Sequence, residues 1–321
     1  MIGHFKKLLN RPVYIGKRPS GTADPVLEGP DWVQASPVRI EKMLKEALAK
    51  PTGGWFCVDA SREIGPSPKR YTVAGGRWVL WRHDAEVFAA PESCPHMGAS
   101  LAGACTEGSA ITCPWHGLRL ERAGHGTWRH ATTYDDGVLV WIQLDRGEAL
   151  SDAPNLPPRP TTFVDAVIRM EAMCEPEDII ANRLDPWHGS HFHPYSFGAL
   201  TVFDATSDAL KMRVAYRIAG PVQIEVDVTF WTPDARTIVM TIIDGDGVGS
   251  VVETHATPLG PGRTAVIEAT LATSERKGFR RLQRISSLMR PFIRRSARRL
   301  WVDDIAYAER RYELRSRPTP G

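Results

Sequence analysis

The stretches Cys94-Pro-His96 and Cys113-Pro-Trp-His116 place two thiols and two imidazoles in two short segments of the chain. Sixteen residues separate the segments, so these side chains run in the order Cys, His, Cys, His. Each segment offers one sulfur and one nitrogen ligand, and the pattern therefore indicates a metal site. A Cys2His2 zinc site is the alternative, but zinc fingers run Cys, Cys, His, His.

The residues around these ligands narrow the choice of metal. Cys94-Pro-His-Met-Gly-Ala-Ser-Leu-Ala-Gly103 and Cys113-Pro-Trp-His-Gly-Leu-Arg-Leu120 resemble the two cluster-binding loops of Rieske oxygenases and Rieske ferredoxins. In a Rieske 2Fe-2S cluster, two thiolates hold one iron and two imidazoles hold the other. The resemblance implies a cluster held by four side chains: Cys94, His96, Cys113 and His116.

An extra pair of cysteines separates the branches of this superfamily. The Rieske proteins of respiratory cytochrome bc complexes carry an additional Cys in each loop, and the two form a disulfide. Ala99 and Trp115 occupy those places here, so the resemblance is to the lower-potential oxygenase or ferredoxin type. Cys105 has no evident partner and is interpreted as a small buried or half-buried thiol.

A second segment, Glu177–Pro194, crowds three His together with acids and amides. Mononuclear non-haem iron that activates dioxygen is held by two His and one carboxylate. The run Asp185-x-x-His188-x-x-x-x-His193 matches a motif of Rieske oxygenases, and this resemblance implies that His188 and His193 bind iron. Helical spacing alone favours His191 as the second ligand beside His188, because residues three apart share a helix face. His193 can reach the same metal only if the helix ends or distorts before it.

The family also supplies expectations for the acids around the iron. In Rieske oxygenases an Asp on a C-terminal helix completes the site, and Asp303 and Asp304 are the candidates. An acid commonly precedes the ligand and an aliphatic residue follows it, which favours Asp304. In these enzymes the residue that matches Asp185 lies between the cluster of one subunit and the iron of its neighbour, and its carboxylate is hydrogen-bonded to a His ligand on each side. The alternative is that Asp185 only caps a helix before Pro186. Asn182 resembles a residue that lines the same site.

The composition is that of a globular enzyme. The formal net charge is +3, charged residues make up 24% and hydrophobic residues 42%, and no apolar run reaches 18 residues. Of five cysteines, two are assigned to iron, which leaves Cys57, Cys105 and Cys174 without a paired framework. With no signal-like N-terminus, these features predict a reducing, cytoplasmic location.

Four segments are predicted along the chain. Residues 1–53 form a leader and a helix, 54–152 the Rieske domain, 153–161 a proline-rich linker and 162–321 the catalytic domain. Hairpin patterns predict an all-β first domain. For the second, the resemblance implies a helix-grip (START-like) fold with an antiparallel sheet, so the predicted class is α+β.

A basic region near the C-terminus, Glu275–Arg299, combines Arg with apolar residues at intervals of three or four. The apolar residues are Phe279, Leu282, Ile285, Leu288 and Phe292. The spacing predicts an amphipathic helix whose apolar side faces the core. Docking of an acidic ferredoxin and peripheral contact with an anionic membrane are the alternatives. Nucleic acid is not an expected partner, because no recognised binding motif accompanies the Arg cluster.

The resemblance implies the terminal component of a Rieske non-haem iron oxygenase, with a 2Fe-2S cluster and mononuclear Fe(II). Such an enzyme uses dioxygen and electrons from a separate reductase, with or without a ferredoxin, to hydroxylate, demethylate or otherwise oxidise its substrate. The length is close to that of the shorter, homotrimeric members, and apolar strands such as Val239–Ile243 suit an aromatic, terpenoid or sterol-like molecule. The alternative is an electron-transfer protein with a non-catalytic, ligand-binding C-terminal domain; the presence of His188 and His193 favours the oxygenase.

Overall fold

The computed structural model describes residues 12–20, 35–206, 209–276, 278–279, 283 and 286–317. Short strands dominate its first half, and a large sheet with helices against it forms the second half. This arrangement confirms the α+β class predicted from the sequence.

Three small antiparallel sheets make up the N-terminal half. Their strands are β2 (Trp55–Ala60), β3 (Lys69–Val73), β4 (Gly76–His83), β5 (Glu86–Pro91), β6 (Cys105–Glu107), β7 (Ala110–Thr112), β8 (Arg119–Leu120), β9 (Thr132–Asp135) and β10 (Leu139–Gln143). The strand orders are β2-β10-β9, β3-β4-β5 and β6-β7-β8. The turns from β5 to β6 and from β7 to β8 carry the two Cys-His segments.

A single large sheet forms the C-terminal half. Its strands are β11 (Val164–Ala172), β12 (Phe197–Ala205), β13 (Ala209–Ala219), β14 (Val222–Asp234), β15 (Thr237–Gly245), β16 (Val251–Gly260) and β17 (Arg263–Ala272). They pair antiparallel in the order β11-β17-β16-β15-β14-β13-β12, and the short β1 (Val13–Tyr14) joins β14 in parallel. Successive hairpins from β12 to β17 explain this order, since sequential strands tend to pair.

Four α-helices complete the described structure: α1 (Pro37–Leu48), α2 (Pro176–Leu184), α3 (His188–Phe192) and α4 (Ser286–Ser316). Helix α4 packs against β11 and α2. Its Trp301 is fully buried in the main core with Ile179 and Ile180 of α2, so truncating this indole to Ala would cost about 3–5 kcal/mol. Among the described helices, none is long and apolar enough to cross a membrane.

The two halves share buried surface. Trp55, Cys57 and Trp141 of the small sheets lie in one hydrophobic cluster with Val167 and Ile267 of the large sheet. Helix α1, which precedes the small sheets in sequence, instead buries its apolar side in the core of the large sheet.

The predicted linker and the C-terminal helix differ in their packing. Arg159, in the segment 153–161, is anchored by a bidentate ion pair to the fully buried Glu253. On α4, Leu288 and Phe292 are 65% and 72% exposed, so the prediction that they face the core is wrong. Phe279 is buried, whereas Leu282 and Ile285 lie outside the described residues.

Candidate metal centres

The two Cys-His segments fold into loops of the same backbone design. In each loop the Cys N–H donates to the carbonyl five residues further on, at 2.8 Å in both cases. The glycine four residues after the Cys donates back to the Cys carbonyl, at 2.9 Å from Gly98 to Cys94 and 3.0 Å from Gly117 to Cys113. Both glycines adopt positive φ, 75° and 67°, a conformation that glycine adopts without strain. Main-chain bonds therefore close both loops.

The thiols and imidazoles occupy different depths. Cys94 and Cys113 are 3% and 2% exposed, whereas His96 and His116 are exposed, with ring centroids 4.9 Å apart. Burial raises the pKa of Cys94. Burial has the same effect on Cys113, but the N–H groups of Trp115 and His116 outweigh it and lower the pKa of that thiol. Two sulfur and two nitrogen ligands, supported by amide donors, fit a 2Fe-2S cluster.

The remaining cysteines are free thiols. Cys105, at the first position of β6, is exposed, so its interpretation as a buried or half-buried thiol is wrong. Cys57 and Cys174 are buried. Ala99 is buried and Trp115 is 63% exposed, at the two positions where the sequence lacks an additional cysteine.

The His-rich segment folds as two helices. Helix α2 ends at Leu184 and is capped by Asp185, because a residue before proline is disfavoured in the helical region. The short α3 begins at His188 and ends at Phe192. His193 follows with φ −119° and ψ 53°, outside helical geometry. The helix thus ends where His193 has to turn towards His188.

Three side chains from this segment and α4 converge. Asp304 Oδ1 lies 2.9 Å from His188 Nε2 and 2.8 Å from His193 Nε2, and the three ligand atoms all lie within 4.8 Å of one another. Asp304 and His193 are buried. His191 is exposed and packs on Trp187, with ring centroids 5.6 Å apart. The structure therefore brings His188, His193 and Asp304 together and leaves His191 outside.

The other ring nitrogens show how this trio fits a cation. His188 Nδ1 contacts the backbone carbonyl of Asp185. A carbonyl only accepts, so the neutral ring carries its proton on Nδ1 and its Nε2 has a free lone pair. On His193, Nδ1 lies 3.3 Å from Tyr195 Oη and 3.4 Å from Asp303 Oδ2. Two Nε2 atoms facing one carboxylate oxygen suit a metal ion, which would take the place of the protons that otherwise lie between these atoms.

The charge of the Asp304 carboxyl also suits a cation. Burial opposes ionisation of Asp304, but hydrogen bonds from His188 and His193 outweigh it and hold the pKa of this carboxyl far below its usual range. Burial lowers the pKa of His188 and the neighbouring Asp304 raises it, and the net effect is a raised pKa. The carboxyl is thus ionised, as a metal ligand must be.

Asn182 and Asp185 lie next to the trio. Asn182 is fully buried, and its Nδ2 donates to Asp304 Oδ1 at 3.3 Å. The carboxylate of Asp185 accepts a bond of 3.2 Å from Tyr307 Oη, and the backbone carbonyl of Asp185 contacts Nδ1 of His188. Burial raises the pKa of Asp185. Its Oδ1 is buried without a hydrogen-bond partner in the described structure.

A cavity of about 360 Å³ opens beside the trio. Its walls are mostly apolar and come from β12 to β17 and α4, including Leu200, Val214, Phe230, Met240, Ile293 and Leu300. Arg183 of α2 and Glu268 of β17 are polar exceptions. Four residues at the site were not predicted from the sequence: Arg183, Glu268, Tyr195 and Tyr307. Only the tyrosines carried a sequence signal: Tyr195 stands two residues after His193, and Tyr307 stands one helical turn after Asp304.

Comparison with protein families gives two matches. A family described as "Domain of unknown function (DUF5914)" matches residues 145–319, and the Rieske [2Fe-2S] domain matches residues 54–137. Among curated proteins, the chain is similar to cholesterol 7-desaturase nvd. Identity is 36% over 71 residues in Hemicentrotus pulcherrimus (21% of this chain, 15% of that protein) and 28% over 157 residues in Bombyx mori (41% and 34%). The chain thus covers about a third or less of these relatives.

Two solved structures show the same fold. Dicamba monooxygenase bound to dicamba superposes with a TM-score of 0.63 at 16% identity, covering 84% of this chain and 92% of that one. The terminal oxygenase of carbazole 1,9a-dioxygenase from Novosphingobium sp. KA1 gives a TM-score of 0.54 at 14% identity, covering 88% of each chain. The predicted fold class, a β-rich Rieske domain followed by an α+β domain with a large antiparallel sheet, is therefore confirmed.

Proposed function

The chain belongs to the DUF5914 family and carries a Rieske [2Fe-2S] domain, and from this premise we propose that it is the terminal component of a Rieske-type oxygenase. One observation carries the proposal: the two imidazole Nε2 atoms of His188 and His193 share Asp304 Oδ1 at the edge of an apolar cavity. In the proposed division, residues 54–152 bind the cluster, 153–161 connect, and 162–321 form the catalytic domain.

The residues around the trio have distinct proposed roles. Mononuclear iron held by His188, His193 and Asp304 would supply the activation of dioxygen. The Asp185 carbonyl fixes the ring of His188, and Tyr195 with Asp303 fixes the ring of His193. Asn182 steadies the Asp304 carboxylate through its amide. The apolar walls keep bulk water from the substrate.

We propose that electrons enter at a cluster held by Cys94, His96, Cys113 and His116. The resemblance to Rieske oxygenases supports a separate reductase as donor, with or without a ferredoxin, and a homotrimer. In such a trimer the neighbour's exposed imidazoles would approach Asp185. The partnerless Oδ1 of Asp185 supports this arrangement, because a buried carboxylate oxygen without a donor is costly in the isolated chain.

The proposed substrate is a small, largely apolar molecule of aromatic, terpenoid or sterol-like character. The cavity walls support this class, and so do the names of the similar proteins, which refer to cholesterol, dicamba and carbazole. These names describe other proteins.

We further propose that the protein acts at the cytoplasmic face of a membrane, touching it with an outer stripe of α4. We define this stripe as Leu288, Phe292 and Arg295, which recur at intervals of four and three and are all exposed. Exposed apolar side chains beside Arg suit an interface containing anionic lipid. The opposite side of the helix, with Ile293 and Ala297, lines the cavity.

Electron paramagnetic resonance (EPR) of dithionite-reduced protein, with and without nitric oxide, tests the oxygenase proposal. Iron and acid-labile sulfide are quantified on the same sample. We expect a Rieske signal and a high-spin ferrous-nitrosyl signal from one preparation. If only the Rieske signal appears, with two irons per chain after iron reconstitution, the protein is an electron carrier and not an oxygenase. No cluster signal in sulfide-replete protein would overturn the whole proposal.

A further inference from the structure

Two side chains of opposite charge lie close together in the wall of the cavity. Arg183 projects from α2 and Glu268 from β17, and both line the space beside the metal-binding trio. Glu268 is only 7% exposed. The guanidinium Nη2 of Arg183 lies 4.0 Å from Glu268 Oε2. This separation is too long for a direct hydrogen bond, so the two groups form a loose pair.

The hydrogen bonding of this pair is incomplete. Glu268 Oε2 accepts a bond of 2.7 Å from Trp301 Nε1. The guanidinium of Arg183 lies near the rings of Phe230 and Trp301, at 5.5 and 5.8 Å from their centroids. Its Nε is buried and has no hydrogen-bond partner among the residues that the structure describes. Native proteins leave few buried polar atoms in that state, and each calls for an explanation.

The gap between the groups has the dimensions of one bridging oxygen. A donor nitrogen and an acceptor oxygen 4.0 Å apart can both reach a single hydroxyl at about 2.8 Å. The hydroxyl oxygen would accept from Arg183 and its O–H would donate to Glu268. A ketone or an ether lacks the proton for Glu268, and a carboxylate would meet the negative charge of Glu268.

We propose that Arg183 and Glu268 bind a hydroxyl group of the substrate, so that the cavity selects apolar alcohols over the corresponding ketones and ethers. The inference rests on the proposed function only in taking this cavity as the substrate site. The two residues are specificity-determining, and they orient the molecule by its one polar group. Burial raises the pKa of Glu268, while Arg183 and Trp301 favour its ionised form.

The proposal is tested by binding, which requires no turnover. Iron-loaded, full-length protein is dialysed to equilibrium against cyclododecanol, cyclododecanone and cyclododecyl methyl ether, which share one apolar ring and differ in one oxygen group. We expect cyclododecanol to bind about tenfold tighter or better than either analogue, because hydrogen bonds to charged groups are stronger than neutral ones. Equal affinities, or no binding of cyclododecanol, would overturn the proposal.

A double variant removes the pair without leaving a lone buried charge. In Arg183→Met/Glu268→Leu, apolar side chains of similar size replace both ions, an exchange that proteins often tolerate. We expect the preference for cyclododecanol to vanish while the three probes still bind. The matched control, Arg263→Met/Glu171→Leu, removes an exposed ion pair of 2.9 Å on β17 and β11 and should keep the wild-type preference.

The outcomes separate this inference from the oxygenase proposal. If the preference persists in the double variant, the Arg183–Glu268 subsite is wrong, whatever the EPR spectra show. If wild type prefers the alcohol but forms no ferrous-nitrosyl species, the subsite stands and the oxygenase proposal fails.

Discussion

Asp303 and Asp304 are neighbours in sequence, yet their carboxylates flank opposite edges of the same imidazole ring. Asp304 Oδ1 lies 2.8 Å from Nε2 of His193, and Asp303 Oδ2 lies 3.4 Å from Nδ1 of that ring. Successive helical residues point about 100° apart, which lets α4 place one carboxylate on each edge. Asp304 is buried, whereas Asp303 is more than a third exposed on its side chain. The two acids therefore differ in what they can do for the metal.

Replacing each acid separately tests this division. We expect Asp304→Ala to bind two irons per chain instead of three and to lose measurable turnover, while its Rieske absorption stays intact. Asp303→Asn should retain all three irons, because the Asn side chain can still accept the bond from Tyr195 and stands only at the Nδ1 edge of His193. Three irons in Asp304→Ala would contradict the assignment of Asp304 as a ligand.

Tyr195 supports the same ring from outside the trio. Its hydroxyl donates to Asp303 Oδ2 at 2.6 Å and lies 3.3 Å from His193 Nδ1. Groups of this kind fix the orientation of a metal-bound imidazole, and their loss typically costs 10–100-fold in metal affinity. We expect Tyr195→Phe to weaken mononuclear iron binding by about that factor, measured by chelator competition. Tyr71→Phe, which loses a hydroxyl bonded to Asp59 far from this site, is the control and should bind iron normally.

The Rieske half contains a histidine that folding keeps neutral. His130 packs edge-on against Trp81 and Trp128, and burial together with Arg122 lowers its pKa from 6.5 to about 4. Between these values the unfolded chain binds the proton and the folded chain does not, so the stability contributed by neutral His130 is lost as the pH falls from 6.5 to 4. The ring is partly exposed, so the loss is about 1–2 kcal/mol after allowance for solvent screening.

Denaturant unfolding at pH 7 and pH 4.5 measures this contribution. Between pH 7 and pH 4.5 the free energy of unfolding should fall less in His130→Phe than in wild type, and the difference should be most of the loss of about 1–2 kcal/mol given above. His83→Phe, in which an exposed histidine on β4 is replaced, should follow the wild-type acid profile. If His130→Phe loses as much stability as wild type between pH 7 and pH 4.5, the proton taken up on unfolding binds a group other than His130.

The outer stripe of α4 gives a prediction about membranes. Full burial of an apolar side chain contributes about 1.5–3 kcal/mol, and two such residues stand exposed in the stripe. We expect Leu288→Ser/Phe292→Ser to reduce cosedimentation with phosphatidylglycerol-containing vesicles by at least about tenfold. Val38→Ser removes an exposed apolar residue on α1 and should leave cosedimentation unchanged. Wild type that stays in the supernatant would refute the membrane contact.

The side chains proposed to bind metal can be predicted from the sequence because their spacing is typical of metal-binding motifs. The motif spacing singled out His188 and His193, and the structure brings them together. Helical periodicity alone pointed to His191, and it could not do better, because the position of His193 depends on the end of α3 at Phe192. That end is a property of the folded backbone and leaves no periodic signal.

Other features depend on contacts between distant segments. Arg183 and Glu268 belong to no motif and meet only because α2 lies against the large sheet. The repeat of Leu288 and Phe292 was visible, but periodicity identifies a helix face without saying what covers it. Cys105 gave no signal of its exposure, because free cysteines are more often buried.

The two loops that carry Cys94 and Cys113 keep their shape through main-chain bonds, while Met97 and Trp115 project from their tips, 67% and 63% exposed. The main-chain bonds that close the loops therefore do not depend on which side chains stand at the exposed tips. Substitutions at the tips would change the surface offered to the proposed redox partner without disturbing loop closure, so single substitutions would suffice to change that partner.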